Sequence, residues 1–299
     1  MHEHEADQLP LSVIVLTWNS QQFVRACLDS LIPQLPRRAE IIVVDNGSHD
    51  ATLDLLANYP VTLIANHENR GVGPARNQGL AAARGDIVLV LDIDTIVQPG
   101  AIATLVHALA ADSRIGVVGA RLEAPDGSLQ YTCRDFPTLL SKLARQFPTS
   151  LQQRVLRANE LRDWDHASAR YVGYVIGACQ CIRRQALVDV GPYDDAIFYG
   201  PEDVDLCLRM WRAGWRVAYV PAARITHLEQ RITQSHRLRN PIMRRHVAGL
   251  VRYFLKHRYV LRAPSFAQQN QPYIYESTGS QSEEHTAATE FAALAPRDL

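Results

Sequence analysis

Two carboxylates, Asp92 and Asp94, stand at the end of the apolar run from Leu89 to Thr95 (LVLDIDT) with one residue between them. Along a strand that spacing sends both side chains to the same side. Unpaired charge beside an apolar core is costly, and a divalent cation carrying a diphosphate would offset it. The plain alternative is that the pair opens a turn and caps a helix near Pro99 to Leu109. Other strand ends bear on the choice: Ile41 to Val44 opens into Asp45-Asn46-Gly47-Ser48, and Val13 to Leu16 into Thr17-Trp18-Asn19. Three early strands thus deliver polar groups at their carboxyl ends, where open α/β sheets bind ligands.

A second acidic group, Glu202, Asp203 and Asp205, opens a segment whose Val204, Cys207, Leu208 and Trp211 form one apolar helical stripe. Pro201 near its start and Gly214 beyond its end bound a helix over Glu202 to Ala213. Carboxylates are favoured at such an N-terminus by the partial positive charge of the helix.

The elements that must position these groups alternate in the first half. Strands are expected at Leu11 to Leu16, Ile41 to Val44, Val61 to Ala65 and Ile87 to Leu91, with helices at Ser20 to Leu31, from about Asp50, and at Gly73 to Ala83. Repeated βα units imply a mostly parallel central sheet covered on both faces. The second half is less regular: a strand at Ile115 to Ala120, a hairpin turn at Ala124 to Gly127 before Leu129 to Cys133, helical pieces in Phe136 to Leu161, a small-residue segment from Tyr171 to Ile182, a short helix at Arg184 to Val188, and a strand at Trp215 to Val220.

With 299 residues, 47% of them hydrophobic, the chain can bury one sizeable core and a small appendage. Its zero formal net charge argues against a general nucleic-acid binder. Five cysteines without metal-ligand spacing read as free thiols in a reducing compartment; Cys179 and Cys181 are too close for a zinc pair. Residues 1–10 lack a signal-peptide core and no apolar run is long enough to span a bilayer. The expected location is the cytoplasm, with peripheral contact to the inner face of the plasma membrane.

The order of motifs resembles the family 2 glycosyltransferases, and within them the rhamnosyltransferases of bacterial cell-surface polysaccharides. The resemblance covers Leu11 to His227 and rests on VIVLTWNS (Val13 to Ser20), VVDNGSHD (Val43 to Asp50), NRGVGPARNQGL (Asn69 to Leu80), LDIDT (Leu91 to Thr95) and FYGPEDVDLCLRMWRAGW (Phe198 to Trp215). It implies a single Rossmann-like nucleotide-sugar-binding domain of the glycosyltransferase A type over 1–230. It also implies inverting, one-sugar transfer from a UDP- or dTDP-sugar, with dTDP-rhamnose the expected donor, to a glycan or a polyprenyl-diphosphate-linked acceptor. By this resemblance Thr17, Asn19, Asp45, Asn46, Ser48, Arg76 and Asp92 bind the donor, Asp45 accepting from the N3–H of uracil or thymine. Asp94 and His227 would hold Mn2+ or Mg2+, and Asp203 would be the general base. Glu202, Gly177, Ala178 and the aromatic Trp211 would border the acceptor, with Trp215 and Tyr174 as further stacking candidates.

Two other classes remain open on the residues alone. Gly71-x-Gly73 between a strand and a helix suits a nicotinamide oxidoreductase, although Arg76 stands where the third glycine of that fingerprint belongs. A non-catalytic nucleotide-sugar-binding module would leave Glu202 and Asp203 without a purpose. Beyond the catalytic domain, residues 231–262 carry eight arginines and Lys256, no acid, and interleaved apolar residues. They read as a basic amphipathic helical extension that docks on anionic lipid or packs on the domain or on another subunit. Residues 263–299 are expected to be a disordered tail.

Overall fold

The protein is described by a computed structural model over residues 11–144, 148–228 and 241–275. In chain order it forms β1 (Leu11–Thr17), α1 (Val24–Leu31), β2 (Glu40–Asp45), α2 (Thr52–Leu56), β3 (Thr62–Ala65), α3 (Val72–Ala82), β4 (Ile87–Asp92), β5 (Thr95–Val97), α4 (Ala101–Ala111) and β6 (Ile115–Glu123). The second half follows with β7 (Leu129–Gln130), β8 (Cys133–Arg134), α5 (Leu139–Leu143), α6 (Thr149–Asn159), β9 (Arg170–Tyr171), β10 (Tyr174–Val175), β11 (Cys179–Arg183), α7 (Arg184–Val190), α8 (Glu202–Arg212), β12 (Arg216–His227) and α9 (Pro241–His257). One sheet has the order β3-β2-β1-β4-β11-β6-β12-β5. Its first four strands are parallel, β11 runs against both neighbours, and β12 is parallel to β6. Val13, Val15, Val43, Val88 and Val90 are buried on both faces of the sheet. Each such side chain contributes about 1.5–3 kcal/mol by leaving water. All five thiols are free and buried.

Two departures from the sequence reading build the site. β12 extends to His227 instead of ending at Val220, because an irregularity between Val220 and Arg224 absorbs Pro221, which cannot donate to a ladder. In antiparallel pairing with β5, His227 falls opposite Thr95 and therefore next to Asp94. The run from Leu129 to Cys133 is not one strand either. β7 pairs with β6, while β8 joins β10 in a separate two-stranded sheet.

The C-terminal expectations also change. Of the basic segment, α9 is described and residues 229–240 are not. One face of α9 packs on the catalytic domain, burying Gly249, Tyr253 and His257. Asp205, one of the three acids that open α8, is buried: His257 Nε2 donates to it at 2.8 Å, and Lys256 Nζ (2.7 Å) and Arg209 Nε (2.8 Å) pair with it. Burial alone would raise this carboxyl, but these partners hold it well below the usual range. Residues 263–275, expected to be disordered, also pack on the domain. Tyr273 is buried and donates to the Ala108 carbonyl, and Asn270 and Gln269 donate to Asp135. The aromatic residues in this stretch supply the burial that its polar composition hid. The rest of the tail and residues 1–10 lie outside the described residues.

At Gly249 a Cβ would stand 2.6 Å from the Gly200 carbonyl oxygen, in the segment leading into α8. Gly249→Val should therefore lower unfolding free energy by about 1–3 kcal/mol, read by urea denaturation; an unchanged midpoint would show that α9 is not seated on that segment.

Candidate active site

A cleft of about 350 Å³ opens at the carboxyl ends of β1 and β4. Thr17 and Trp18 form one wall, Asp92, Asp94 and His227 the floor, residues 176–178 the back, and residues 198–200, Glu202 and Asp203 with Ile242 the far wall.

The acidic floor is made by a turn. β4 ends at Asp92, and Ile93 and Asp94 form the connection into β5. Ile93 tucks inward and its N–H donates to the Leu16 carbonyl, so the two carboxylates converge without continued strand pleating. Ligand atoms of Asp92, Asp94 and His227 lie within 4.8 Å of one another. His227 Nε2 is 3.5 Å from Asp94 Oδ1. Gln130 fixes the ring: its Nε2 donates to the His227 carbonyl at 2.9 Å, leaving its Oε1 to accept from Nδ1 at 2.8 Å. That assignment puts the imidazole lone pair on Nε2, towards the carboxylates, as in histidines that ligate metals. Burial, opposed by Arg76 and helped by Asp94, raises the Asp92 carboxyl. Two carboxylates and an imidazole suit a divalent cation.

Arg76 is fully buried beneath this floor. Its Nη2 donates to Asp92 Oδ1 (2.8 Å) and to the Gly177 carbonyl (2.9 Å), and its Nη1 donates to Glu202 Oε1 (3.0 Å). It is a strut between the two acidic groups. Gly177 leaves the room for it, since a Cβ there would lie 2.3 Å from Nη1. The Gly177 N–H in turn donates to Asp203 Oδ2 at 3.1 Å.

The three acids of α8 have separate fates. Asp205 is locked to α9, and Glu202 is buried on Arg76. Burial and the Asp203 charge push the Glu202 carboxyl up to about 7, against the pull of Arg76. Asp203, the one of the three that is not buried, lines the cleft beside Glu202, steadied by Gly177 and by its own helix, where Val204 N–H donates to Oδ1 at 2.7 Å.

On the opposite side the donor candidates divide as well. Thr17 lines the cleft, and its buried Oγ has no hydrogen-bond partner among the described residues. Asp45 lies buried behind the wall, where Ser48 N–H (2.9 Å) and Oγ (2.5 Å) each donate to one of its oxygens. Asn19 braces the same loop: its N–H donates to Ser48 Oγ, and its Oδ1 accepts from His49 N–H. Asn46 borders the cleft with its amide fully engaged. Its Nδ2 donates to Asn69 Oδ1 and the Gly71 carbonyl, and its Oδ1 accepts from Arg70 N–H and Asn66. Asn46 and Asn19 thus brace these loops, Asn46 at the edge of the cleft.

Gly177 and Ala178 do line the cleft, but the aromatic platform does not form. Trp211 is buried, its Nε1 donating to the Val172 and Gly173 carbonyls and its ring stacked on Phe266. Tyr174 is buried beside Phe136, and Trp215 donates to Asp189. The stripe that makes α8 amphipathic is the side that must face the core. Phe198, Tyr199 and Ile242 supply the apolar wall instead. The sequence reading missed Gln130, whose only signal was its place after the Ala124–Gly127 turn.

Fold and cleft together define an α/β enzyme whose acidic site lies at the carboxyl ends of its strands. The chain belongs to glycosyl transferase family 2, whose model matches residues 12–187, and this sets the nicotinamide reading aside. It is 31% identical over 235 residues to an N-acetylglucosaminyl-diphospho-decaprenol L-rhamnosyltransferase of Mycobacterium tuberculosis, covering 73% of this chain and 75% of that protein. Among solved structures, it resembles the mannosyltransferase PcManGT of Pyrobaculum calidifontis in complex with GDP-Man and Mn2+ (TM-score 0.58, 23% identity). That match covers 85% of this chain and 65% of the other. It also resembles GalNAc-T7 with UDP, GalNAc and Mn2+ (TM-score 0.61, 20% identity), over 83% of this chain and 48% of the other. The fold is of the glycosyltransferase A type.

Proposed function

We propose that this chain is an inverting, metal-dependent glycosyltransferase that moves one sugar, rhamnose being the reading its mycobacterial relative favours, from a dTDP- or UDP-sugar to a lipid-linked glycan at a membrane surface. The observation that carries the reading is the division of the acids: Asp92, Asp94 and His227 gathered on the floor, and a partly exposed Asp203 on the far wall.

The base of the donor belongs at the β1 and β2 ends. The Thr17 hydroxyl lacks a partner among the described residues, and the Asp45 carboxylate, buried behind it on Ser48, would accept from the N3–H of uracil or thymine once that loop uncovers it. Asp92, Asp94 and His227 would hold Mn2+ or Mg2+, which when bound supplies charge neutralisation for the departing diphosphate. Asp203 takes the proton of the acceptor hydroxyl as that oxygen bonds to the anomeric carbon. The bond from that carbon to the diphosphate oxygen breaks on the opposite face, giving inversion without a covalent intermediate.

The test is a thermal-shift panel. UDP or dTDP should raise the melting temperature, more with Mn2+, the gain approaching about 2.7 kcal/mol at a hundredfold excess over Kd. Asp94→Ala should remove the metal-dependent part. Stabilisation by NAD, or none by either nucleotide, would sink the proposal.

A further inference from the structure

Residues 136–159 and 241–262 contain no Asp or Glu, and the fold joins them: the Leu139 N–H, at the start of α5, donates to the carbonyl of Val260, just beyond α9. α9 has two unlike faces. The inner one is spent on the catalytic domain, through Gly249, Tyr253 and His257 and through the pairs of Arg252 and Lys256 with Asp194. The outer one presents Val247, Val251 and Leu255 at four-residue spacing, Leu255 being 73% exposed. Leu139, Leu140 and Leu143 of α5, Leu151 of α6, and Val260 and Leu261 are exposed too. These make nine of the twelve exposed large apolar side chains among the described residues. Single exposed leucines are ordinary on a soluble protein; a cluster on one side is not. Arg244 sits three residues before Val247 on the same helical face, and Arg258, just past the end of α9, and Arg262 follow Leu255 and Leu261 in the chain; all three arginines are exposed.

We propose that this α5–α9 surface docks on an anionic lipid bilayer. The apolar side chains enter the headgroup boundary and Arg244, Arg258 and Arg262 meet lipid phosphates. Charge selects this occupant. A two-fold contact with a second copy would set this acid-free, arginine-bearing face against itself, whereas an anionic headgroup layer complements it. The connection to the site is direct. Ile242, in the first turn of α9, lines the cleft, and His246 Nδ1 bonds the carbonyl of Tyr199 in the cleft wall at 3.1 Å. A helix that lies on the bilayer and also edges the cleft would present the cleft to an acceptor anchored in that bilayer. In this respect the inference rests on the lipid-linked acceptor proposed above.

The full chain should be floated with phosphatidylcholine vesicles with and without phosphatidylglycerol. It should bind the anionic vesicles and be released near 1 M salt, where the Debye length is about 3 Å. The double variant Val251→Glu, Leu255→Glu should partition about tenfold or more weakly with an unchanged melting temperature, since both positions are exposed. Its nucleotide thermal shift should equal that of the wild type. If both proteins lack that shift but differ in vesicle binding, the catalytic reading fails and the docking face stands. Equal binding by variant and wild type, equal binding to neutral vesicles, or no binding by the wild type would overturn the docking face. So would a wild-type dimer that the double variant dissolves, since the occupant would then be a second copy.

Discussion

Arg76→Met, assayed in chelator, is expected to lose about 3 kcal/mol of unfolding free energy at pH 8, because removing one partner of a buried ion pair leaves the others uncompensated. Glu202 is buried and Asp92 is about a third exposed towards the cleft, so the cost falls at the low end for such losses. The effect should depend on pH with a definite sign. Glu202 is raised in the folded protein from 4.5 to about 7. Its contribution to stability is therefore fully present below about 4.5 and lost as pH rises through about 7. Without Arg76 the carboxyl rises further and stays protonated to higher pH, so the gap between wild type and variant should be wider at pH 8 than at pH 6. Urea denaturation at the two values measures it. A gap independent of pH would mean that Glu202 is not the group Arg76 holds ionised. Arg76→Lys should recover part of the loss only, since one ammonium cannot span Asp92, the Gly177 carbonyl and Glu202 as the guanidinium does.

What was legible in the chain was what short-range rules control. β1, β2 and β4 are continuous apolar runs ending on polar residues, and the α8 stripe with its flanking Pro201 and Gly214 marks that helix as clearly as any segment. The approximate membership of the site followed from those strand ends. Its wiring did not. That Arg76 would join Asp92 to Glu202, 126 residues away from it in sequence, is a matter of tertiary placement, and a lone arginine on a helix carries no sign of it. Trp211 illustrates the opposite error: an indole suits sugar stacking and core packing equally, and only the register of α8 against residues 172–173 decides for the core. Residues 263–275 misled through composition, because Phe266 and Tyr273 anchor a stretch that otherwise reads as polar. Asp205 shows the same limit. Its role depends on His257 and Lys256, which an average over a basic segment treats as surface charge.

Asp203→Asn is expected to lower turnover by about 10²-fold or more while donor and metal affinity change by only a few-fold, if proton removal from the acceptor is the work of this carboxylate. The substitution has a local cost that can be worked out. Each carboxylate oxygen of Asp203 accepts one backbone N–H, from Gly177 and from Val204. An asparagine supplies a single carbonyl oxygen, so its amide nitrogen would face one of those donors. That should cost on the order of 1 kcal/mol of stability, together with the smaller loss of a negative charge at the α8 N-terminus. Circular dichroism and the nucleotide thermal shift separate this from the chemistry: a folded variant that binds dTDP or UDP normally but fails to transfer marks Asp203 as the base. Glu202→Gln and Asp205→Asn make the comparison sharp. Glu202 lines the cleft but is held on Arg76, and Asp205 is held on α9 away from the cleft, so their losses should appear in the denaturation midpoint more than in turnover. If Asp203→Asn transfers near the normal rate, the assignment is wrong. If it loses donor binding and turnover in parallel, the carboxylate holds Gly177 and the cleft wall in place and takes no proton.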